Sequence, residues 1–243
     1  MRVVYVDTEH ERVLNHPEAG PRHRARLVET IDRLEMIARA PSELLGFAEV
    51  SPERIERSLP AAIVIGGNTT DWSEFDFEEM TGLLEVIRAA RAPILGICAG
   101  HQLIGSAHHA TWGPLGPLQH GEVDPDPRFA PGQRKQRGFL SVQLDARCPL
   151  FHGLATTALL FQSHYWQLDD VPQGFVVRAS SPWSPIQAIE RLDRPVFGVQ
   201  FHPERYDTDH PDGAVILRNF LALVRDHDTS EHASTQSAEV RSG

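Results

Sequence analysis

Apolar positions in this chain arrive in two alternating rhythms. Arg2 to Val6 is a short β-rich run and reads as a first strand. Pro21 to Ala40 carries Leu27, Ile31, Leu34 and Ile37 on one helical stripe. Phe47 to Val50 reads as a second strand. Pro60 to Ile65 is a continuous apolar run, of the kind buried on both faces, and it stops at Gly66-Gly67. Phe77 to Ala90 returns to helical spacing through Met80, Leu83, Leu84 and Ile87, and Ile94 to Ile97 is again a buried strand, followed by a helical pattern through Leu103, Ile104 and Ala107. Strands alternating with helices predict βαβ units and a parallel sheet.

The rhythm breaks between Thr111 and Gly138, which is rich in Pro and Gly. Phe139–Leu144, Ala158–Phe161, Phe175–Ala179 and Ile186–Ile189 then predict shorter, partly antiparallel strands. Val196–Phe201 is the last strand and Ala214–Val224 the closing helix. The expected division is one domain over residues 1–225 and a disordered tail over 226–243, where apolar residues are scarce. The polar stretch Asp7–Gly20 is expected to be a solvated loop.

Composition narrows the function classes. The chain has 243 residues, 41% of them hydrophobic, which suffices for a core, and a formal net charge of −10. That balance argues against a nucleic-acid surface, which needs a basic footprint. No apolar run spans a membrane and no signal peptide is evident, so the expected location is cytoplasmic. The two cysteines, Cys98 and Cys148, imply no disulfide framework. Lys135 is the only lysine, read as a matter of composition.

Chemistry concentrates in two segments. In Gly96-Ile97-Cys98-Ala99-Gly100 a strand runs into a Cys flanked by glycines two residues away on each side, and a helix follows. This is the pattern of a nucleophile elbow, in which a sharp strand-to-helix turn lifts the nucleophile to a helix N-terminus. In Phe201-His202-Pro203-Glu204 a buried strand ends with His202 and Glu204 two residues apart, so both reach the same side. A carboxylate on one imidazole nitrogen leaves the other to serve a thiol. Cys98, His202 and Glu204 therefore read as nucleophile, base and orienter. The histidines His101, His108 and His109 lack a metal-ligand pattern, and no metal is expected.

Gly96-Ile97-Cys98-Ala99-Gly100-His101-Gln102 and Phe197-Gly198-Val199-Gln200-Phe201-His202-Pro203-Glu204 resemble, in order and separation, the two signatures of class I (triad-type) glutamine amidotransferases. Within that family they look most like the amidotransferase component of GMP synthase. The resemblance spans about Arg2 to Val224. It implies a flavodoxin-like three-layer α/β/α sandwich with a mostly parallel central sheet. It implies an oxyanion hole from the N–H groups of Ala99 and Gly67, although Asn68 stands where the family usually has proline. It implies glutamine contacts from Gln102 and from the Ser163, Tyr165 and Trp166 segment. The implied activity is glutamine hydrolysis through a γ-glutamyl thioester, with ammonia delivered to a partner synthetase. No cofactor is expected on this chain; ATP, if used, belongs to the partner. A free-standing γ-glutamyl or amide hydrolase with the same three residues is the alternative, and a non-catalytic binding relative a further one.

Overall fold

The computed structural model describes residues 2–225, so the tail expected over 226–243 lies outside the described residues. In chain order the main elements are β1 (Val3–Asp7), α1 (Glu11–Leu14), α2 (Ala19–Ala38), β2 (Ser42–Gly46), α3 (Pro52–Ser58), β3 (Ala62–Ile65), α4 (Thr81–Ala89), β4 (Ile94–Ile97) and α5 (Ala99–Ala107). There follow β5 (Trp112–Pro114), β6 (Gln136–Leu144), β7 (Thr157–His164), β8 (Trp166–Leu168), β9 (Phe175–Ser180), β10 (Ala188–Arg191), β11 (Val196–Val199) and a closing helix α6 over residues 212–225. One nine-stranded sheet has the order β2-β1-β3-β4-β11-β10-β9-β6-β7. Its first five strands are mutually parallel, and the strands from β10 to β7 extend it antiparallel. The strands β5 and β8 form a separate antiparallel pair.

Alternation along β1 shows how the three layers arise. Val3 and Tyr5 face α2 and α6, packing with Leu27, Leu34, Ile216 and Phe220. Val4 and Val6 face the other way, with Ile55, Leu83, Ile87 and Leu103 of α3, α4 and α5. All five residues of β1 and all four residues each of β3, β4 and β11 are buried. Strands covered on both faces are expected to be continuous runs without polar side chains, and theirs are except for Asp7 at the end of β1, which pairs with His23. The parallel half has the flavodoxin-like order, and its switch point, where the chain reverses its direction of winding, lies between β1 and β3. The loops after β1, β3 and β4 open there side by side.

Three expectations are corrected. The second strand is Ser42–Gly46, and Phe47–Glu49 is instead a single 3₁₀ turn, tightened because Gly46 N–H donates to Glu49 Oε2 at 2.7 Å. Only Leu45 of β2 is buried, so this edge strand carries little hydrophobic signal. The stretch Asp7–Gly20 is not a solvated loop. It contains α1, and α2 already starts at Ala19, because Pro21 sits in its first turn where a missing N–H breaks no helical bond. The strand expected over Ile186–Ile189 is shifted to Ala188–Arg191, with a register irregularity between Ala188 and Ile189.

The elbow glycines are sterically required. A Cβ on Gly96 would lie 2.5 Å from the Gly100 carbonyl, and one on Gly100 would lie 2.4 Å from Ile65 O. The helix α5 thus packs backbone against backbone on β3 and β4. Gly100→Ala is expected to lower stability by about 2 kcal/mol through overpacking, read as a shift in the urea midpoint at unchanged slope.

Candidate active site

Cys98 sits between β4 and α5 with φ 53° and ψ −102°, a backbone conformation that side chains rarely adopt. The turn is held because Cys98 N–H donates to Val199 O at 2.8 Å and Gly100 N–H donates to Gly66 O at 3.1 Å. The thiol is 4% exposed, and its Sγ lies 3.9 Å from Ser163 O.

His202 follows β11, one strand over. Its Nδ1 is 2.7 Å from Glu204 Oε1, and its Nε2 has no hydrogen-bond partner among the described residues. Burial opposes charge on His202, but the Glu204 carboxylate and the neighbouring Cys98 sulfur outweigh it and hold its pKa up to about 10. Gly67 lies between the two: a Cβ there would stand 2.9 Å from His202 Cε1 and 3.7 Å from Cys98 Sγ. Any other residue would crowd the imidazole and the Cys98 Cβ, the latter at 3.2 Å. The structure thus brings Cys98, His202, Glu204, Gly67 and Ala99 together at the carboxyl edge of the sheet.

The backbone donors around the thiol are of two sorts. Gly66 N–H is engaged with Val6 O and Cys98 N–H with Val199 O, so both are spent on the sheet. Ala99 is the first residue of α5, where N–H groups have no acceptor within the helix.

The loop after β3 is strapped from the neighbouring strand end. Glu9, 2% exposed, accepts from Thr69 N–H at 2.8 Å, Thr69 Oγ1 at 2.6 Å and Thr70 Oγ1 at 2.8 Å. Thr8 Oγ1 donates to Gly66 O at 3.0 Å, and His23 Nε2 pairs with Asp7 Oδ2 at 2.8 Å. A buried carboxylate with this many donors fixes the conformation of the loop that carries Gly67 and Asn68.

Over the thiol the space is small. A cavity of about 20 Å³ touches Cys98, Gln102, Ser163, Tyr165 and Trp166, room for about one water. Its roof is latched: Tyr165 Oη donates to Asp71 Oδ2 at 2.8 Å and Trp166 Nε1 to the same oxygen at 3.3 Å. Phe129 closes the side, edge-on to Tyr165 at 5.3 Å. A larger cleft of about 360 Å³ adjoins it, sharing Asn68, Thr69, Phe129 and Ser163, and touches His202, Glu204 and Gly67.

A family model described as glutamine amidotransferase class-I matches residues 28–224. The chain belongs to the class-I glutamine amidotransferase family. A separate subunit of the glutamine-hydrolysing GMP synthase of Pyrococcus abyssi is 30% identical over 171 residues, covering 70% of this chain and 79% of that one. The glutamine-hydrolysing GMP synthase of Acetivibrio thermocellus is 30% identical over 195 residues, covering 78% of this chain; the match spans only 34% of that longer relative. Among solved structures, a GMP synthase subunit protein of Thermoplasma acidophilum superposes with a TM-score of 0.70 at 19% identity, over 96% of this chain and 98% of that one. A glutamine amidotransferase of Thermotoga maritima gives 0.63 at 16% identity, over 92% and 97%. At these identities the superpositions establish the shared fold.

Within this amidotransferase, Gln102 reaches the cavity with its amide already engaged. Its Nε2 donates to Trp166 O at 2.9 Å and Gln200 Oε1 at 3.0 Å, and its Oε1 accepts from Trp72 Nε1 at 2.6 Å. Ser163 offers its carbonyl to the thiol, while its hydroxyl accepts from Arg137 Nη1. Cys148 is remote and inert by comparison, 1% exposed, with its thiol pushed up to about 12 by burial. His101 is lowered to about 4 by burial inside the fold, and a Cβ on Gly198 would lie 2.6 Å from its Nδ1, so it is a packed core group.

Three groups that matter here escape a reading of the sequence. Glu9 lies in a stretch that reads as solvated, Asp71 carries no motif, and Lys135 reads as composition. The Lys135 side chain is fully buried, and its Nζ donates to the carbonyls of Asp126, Phe129 and Ala130 and pairs with Asp124 at 2.9 Å. It therefore pins the turn that presents Phe129 to the roof. A lone lysine among many arginines is the available signal, since the compact ammonium suits a cage of carbonyls that a planar guanidinium would not fit.

Proposed function

We propose that this chain hydrolyses the side-chain amide of glutamine through a γ-glutamyl thioester on Cys98 and delivers the ammonia to a partner synthetase. The observation that carries the reading is Cys98 on its strained elbow, facing a Glu204-held His202 across Gly67, in a chain of the class-I family. Relatives named glutamine-hydrolysing GMP synthase support the substrate and the synthetase.

In this mechanism Cys98 Sγ attacks the amide carbon. The developing oxyanion is received by the N–H groups of Gly67 and Ala99, which lie outside the secondary-structure bonds. His202 Nε2 donates its proton to the departing nitrogen, and ammonia leaves a thioester behind. Water then attacks the thioester while His202 takes its proton, and glutamate and the thiolate separate. Glu204 keeps the Nδ1 proton in place and stabilises the imidazolium. Ser163, Tyr165 and Trp166 form the wall against the amino-acid end of glutamine. Gln102 acts as a positioning residue, because its bonds hold Trp166 O and Trp72. The chain itself takes no cofactor or metal in this reading; ATP, if used, is bound by the synthetase. A thiol nucleophile suits a reducing, cytoplasmic setting.

Glutamate release from glutamine, measured with and without a candidate synthetase, tests the proposal. The synthetase is expected to raise a weak basal rate at least about tenfold, or roughly 1.4 kcal/mol of barrier. Full turnover by the isolated chain would favour the free-standing hydrolase, and no release under either condition would overturn the reading.

A further inference from the structure

Phe129 lines both the small cavity and the adjoining cleft, yet it sits in a turn that neither helix nor strand supports. One buried cation gathers the segment 124–135 around it. Lys135 lines neither space. Its side chain is fully buried, and its Nζ donates to Asp126 O at 3.1 Å, to Ala130 O at 2.7 Å and to Phe129 O, and pairs with Asp124 Oδ1 at 2.9 Å. The Asp124 carboxylate also accepts from the N–H groups of Asp126 at 3.0 Å and Gly132 at 3.2 Å. Ala130 has φ 43°, in the left-handed region that residues with a side chain rarely visit. Filling this space did not require a charge, because an apolar side chain of similar volume in place of a buried ion often leaves stability unchanged. What the ammonium adds is direction. Three carbonyls drawn to one point fix where the turn aims Phe129.

Two lines of contact run from this cage to the wall beside Cys98. Phe129 N–H donates to Asp126 O at 3.0 Å, and the Phe129 ring stands edge-on to Tyr165, with centroids 5.3 Å apart. The second line starts at Asp126, whose carbonyl is on Lys135 and whose Oδ2 accepts from Arg137 Nε at 3.2 Å. The Arg137 guanidinium lies 5.3 Å from the centroid of the Phe129 ring, and its Nη1 donates to Ser163 Oγ. Both lines therefore end on Ser163 and Tyr165. Neither passes through Cys98, His202 or Glu204.

Resting on the reading of Ser163 and Tyr165 as the wall against the amino-acid end of glutamine, we propose that Lys135 is a positioning residue for glutamine binding and acts through Phe129. The ammonium touches no substrate. It holds the turn in the one conformation that sets Phe129 against Tyr165 and Arg137 against Ser163. Loss of the cage lets the turn relax, and the wall loses its support while the groups that carry the chemistry stay in place. The consequence falls on affinity for glutamine rather than on the rate of the bound complex.

The test is a double-mutant cycle read on binding. Full-length Cys98→Ser protein is titrated by calorimetry with glutamine, alone and with Lys135→Met, with Phe129→Ala and with both. Each single substitution is expected to weaken binding about fivefold, within the range that loss of one aromatic contact produces. The pair is expected to bind no more weakly than Phe129→Ala alone, because the two residues act as one unit. With Cys98 intact, Lys135→Met is expected to raise KM by a similar factor and to change kcat less than about twofold, the pattern of lost uniform binding. A lysine that served folding alone would lower the thermal midpoint and leave the affinity of the folded protein unchanged. Should Lys135→Met fail to fold, Asp124→Asn, which removes the carboxylate from the cage, takes its place in the cycle with the same expected loss. Unchanged affinity, additive losses in the pair, or a fall in kcat without a rise in KM would overturn the proposal. Tyr165→Leu reports separately on the wall: unchanged affinity there would refute that reading, while the cycle still measures the coupling of Lys135 to Phe129. No glutamine binding with Lys135 intact would overturn both.

Discussion

Replacing Cys98 by alanine or serine is expected to reduce glutamate release by about 10⁴-fold or more, the scale on which loss of a nucleophile acts in a coupled set of groups. The fold should persist. Cys98 is held by its backbone, through the bond to Val199 O and the glycines around it, and the sulfur adds the 3.9 Å contact to Ser163 O and its interaction with the His202 ring. Circular dichroism and the thermal midpoint would confirm a folded variant. A glutamine analogue carrying an electrophile should label Cys98 and spare Cys148, whose thiol is held protonated by burial at a pKa of about 12. Peptide mapping decides the matter, and label confined to Cys148 would refute the assignment of the nucleophile.

His202→Ala should be comparably severe, whereas Glu204→Gln should retain roughly one to two orders of magnitude more rate, because the base moves protons and the carboxylate only holds it. The pair also makes a prediction about pH. His202 in the fold sits at about 10, above its ordinary value of 6.5, with burial working against the charge and Glu204 and Cys98 working for it. A raised pKa means that the native state binds the proton more tightly than the unfolded state does. The resulting stability is fully present below about 6.5 and is lost as pH rises through about 10. Removing the Glu204 charge lowers the folded value. Urea midpoints for the native chain and Glu204→Gln should therefore differ most at about pH 6 and converge as pH passes the folded pKa. A gap that widened with rising pH would mean that the imidazolium is not what Glu204 stabilises.

What the amino-acid sequence discloses depends on how local the cause is. The strands β1, β3, β4 and β11 are legible because burial on both faces demands unbroken apolar runs. Cys98, His202 and Glu204 are legible because each is framed by neighbours that dictate its turn: glycines about Cys98, and Pro203 between the other two. The edge strand Ser42–Gly46 is not, since one buried residue leaves no period to read. Glu9 is not, since its partners Thr69 and Thr70 lie some 60 positions away and nothing nearby announces them. Its place directly after β1, across the switch point from Gly66-Gly67, is the one clue. The bonds of Gln102 to Trp72, Trp166 and Gln200 are hidden for the same reason, being made only once four separate segments meet.

The latched roof has a kinetic consequence. With about 20 Å³ beside a thiol that is 4% exposed, a bulky reagent is expected to reach Cys98 only after lining side chains move, Tyr165 and Trp166 on Asp71 among them. Modification by a bulky electrophile then becomes a two-step process, opening followed by capture. At low reagent the labelling rate rises in proportion to concentration. At high reagent it levels off at the opening frequency of the roof, independent of which electrophile is used. Asp71→Ala should raise that ceiling without altering the reactivity of the sulfur. A time course of labelling over a range of concentrations would therefore time the motion of a few side chains, with the cysteine serving as the clock.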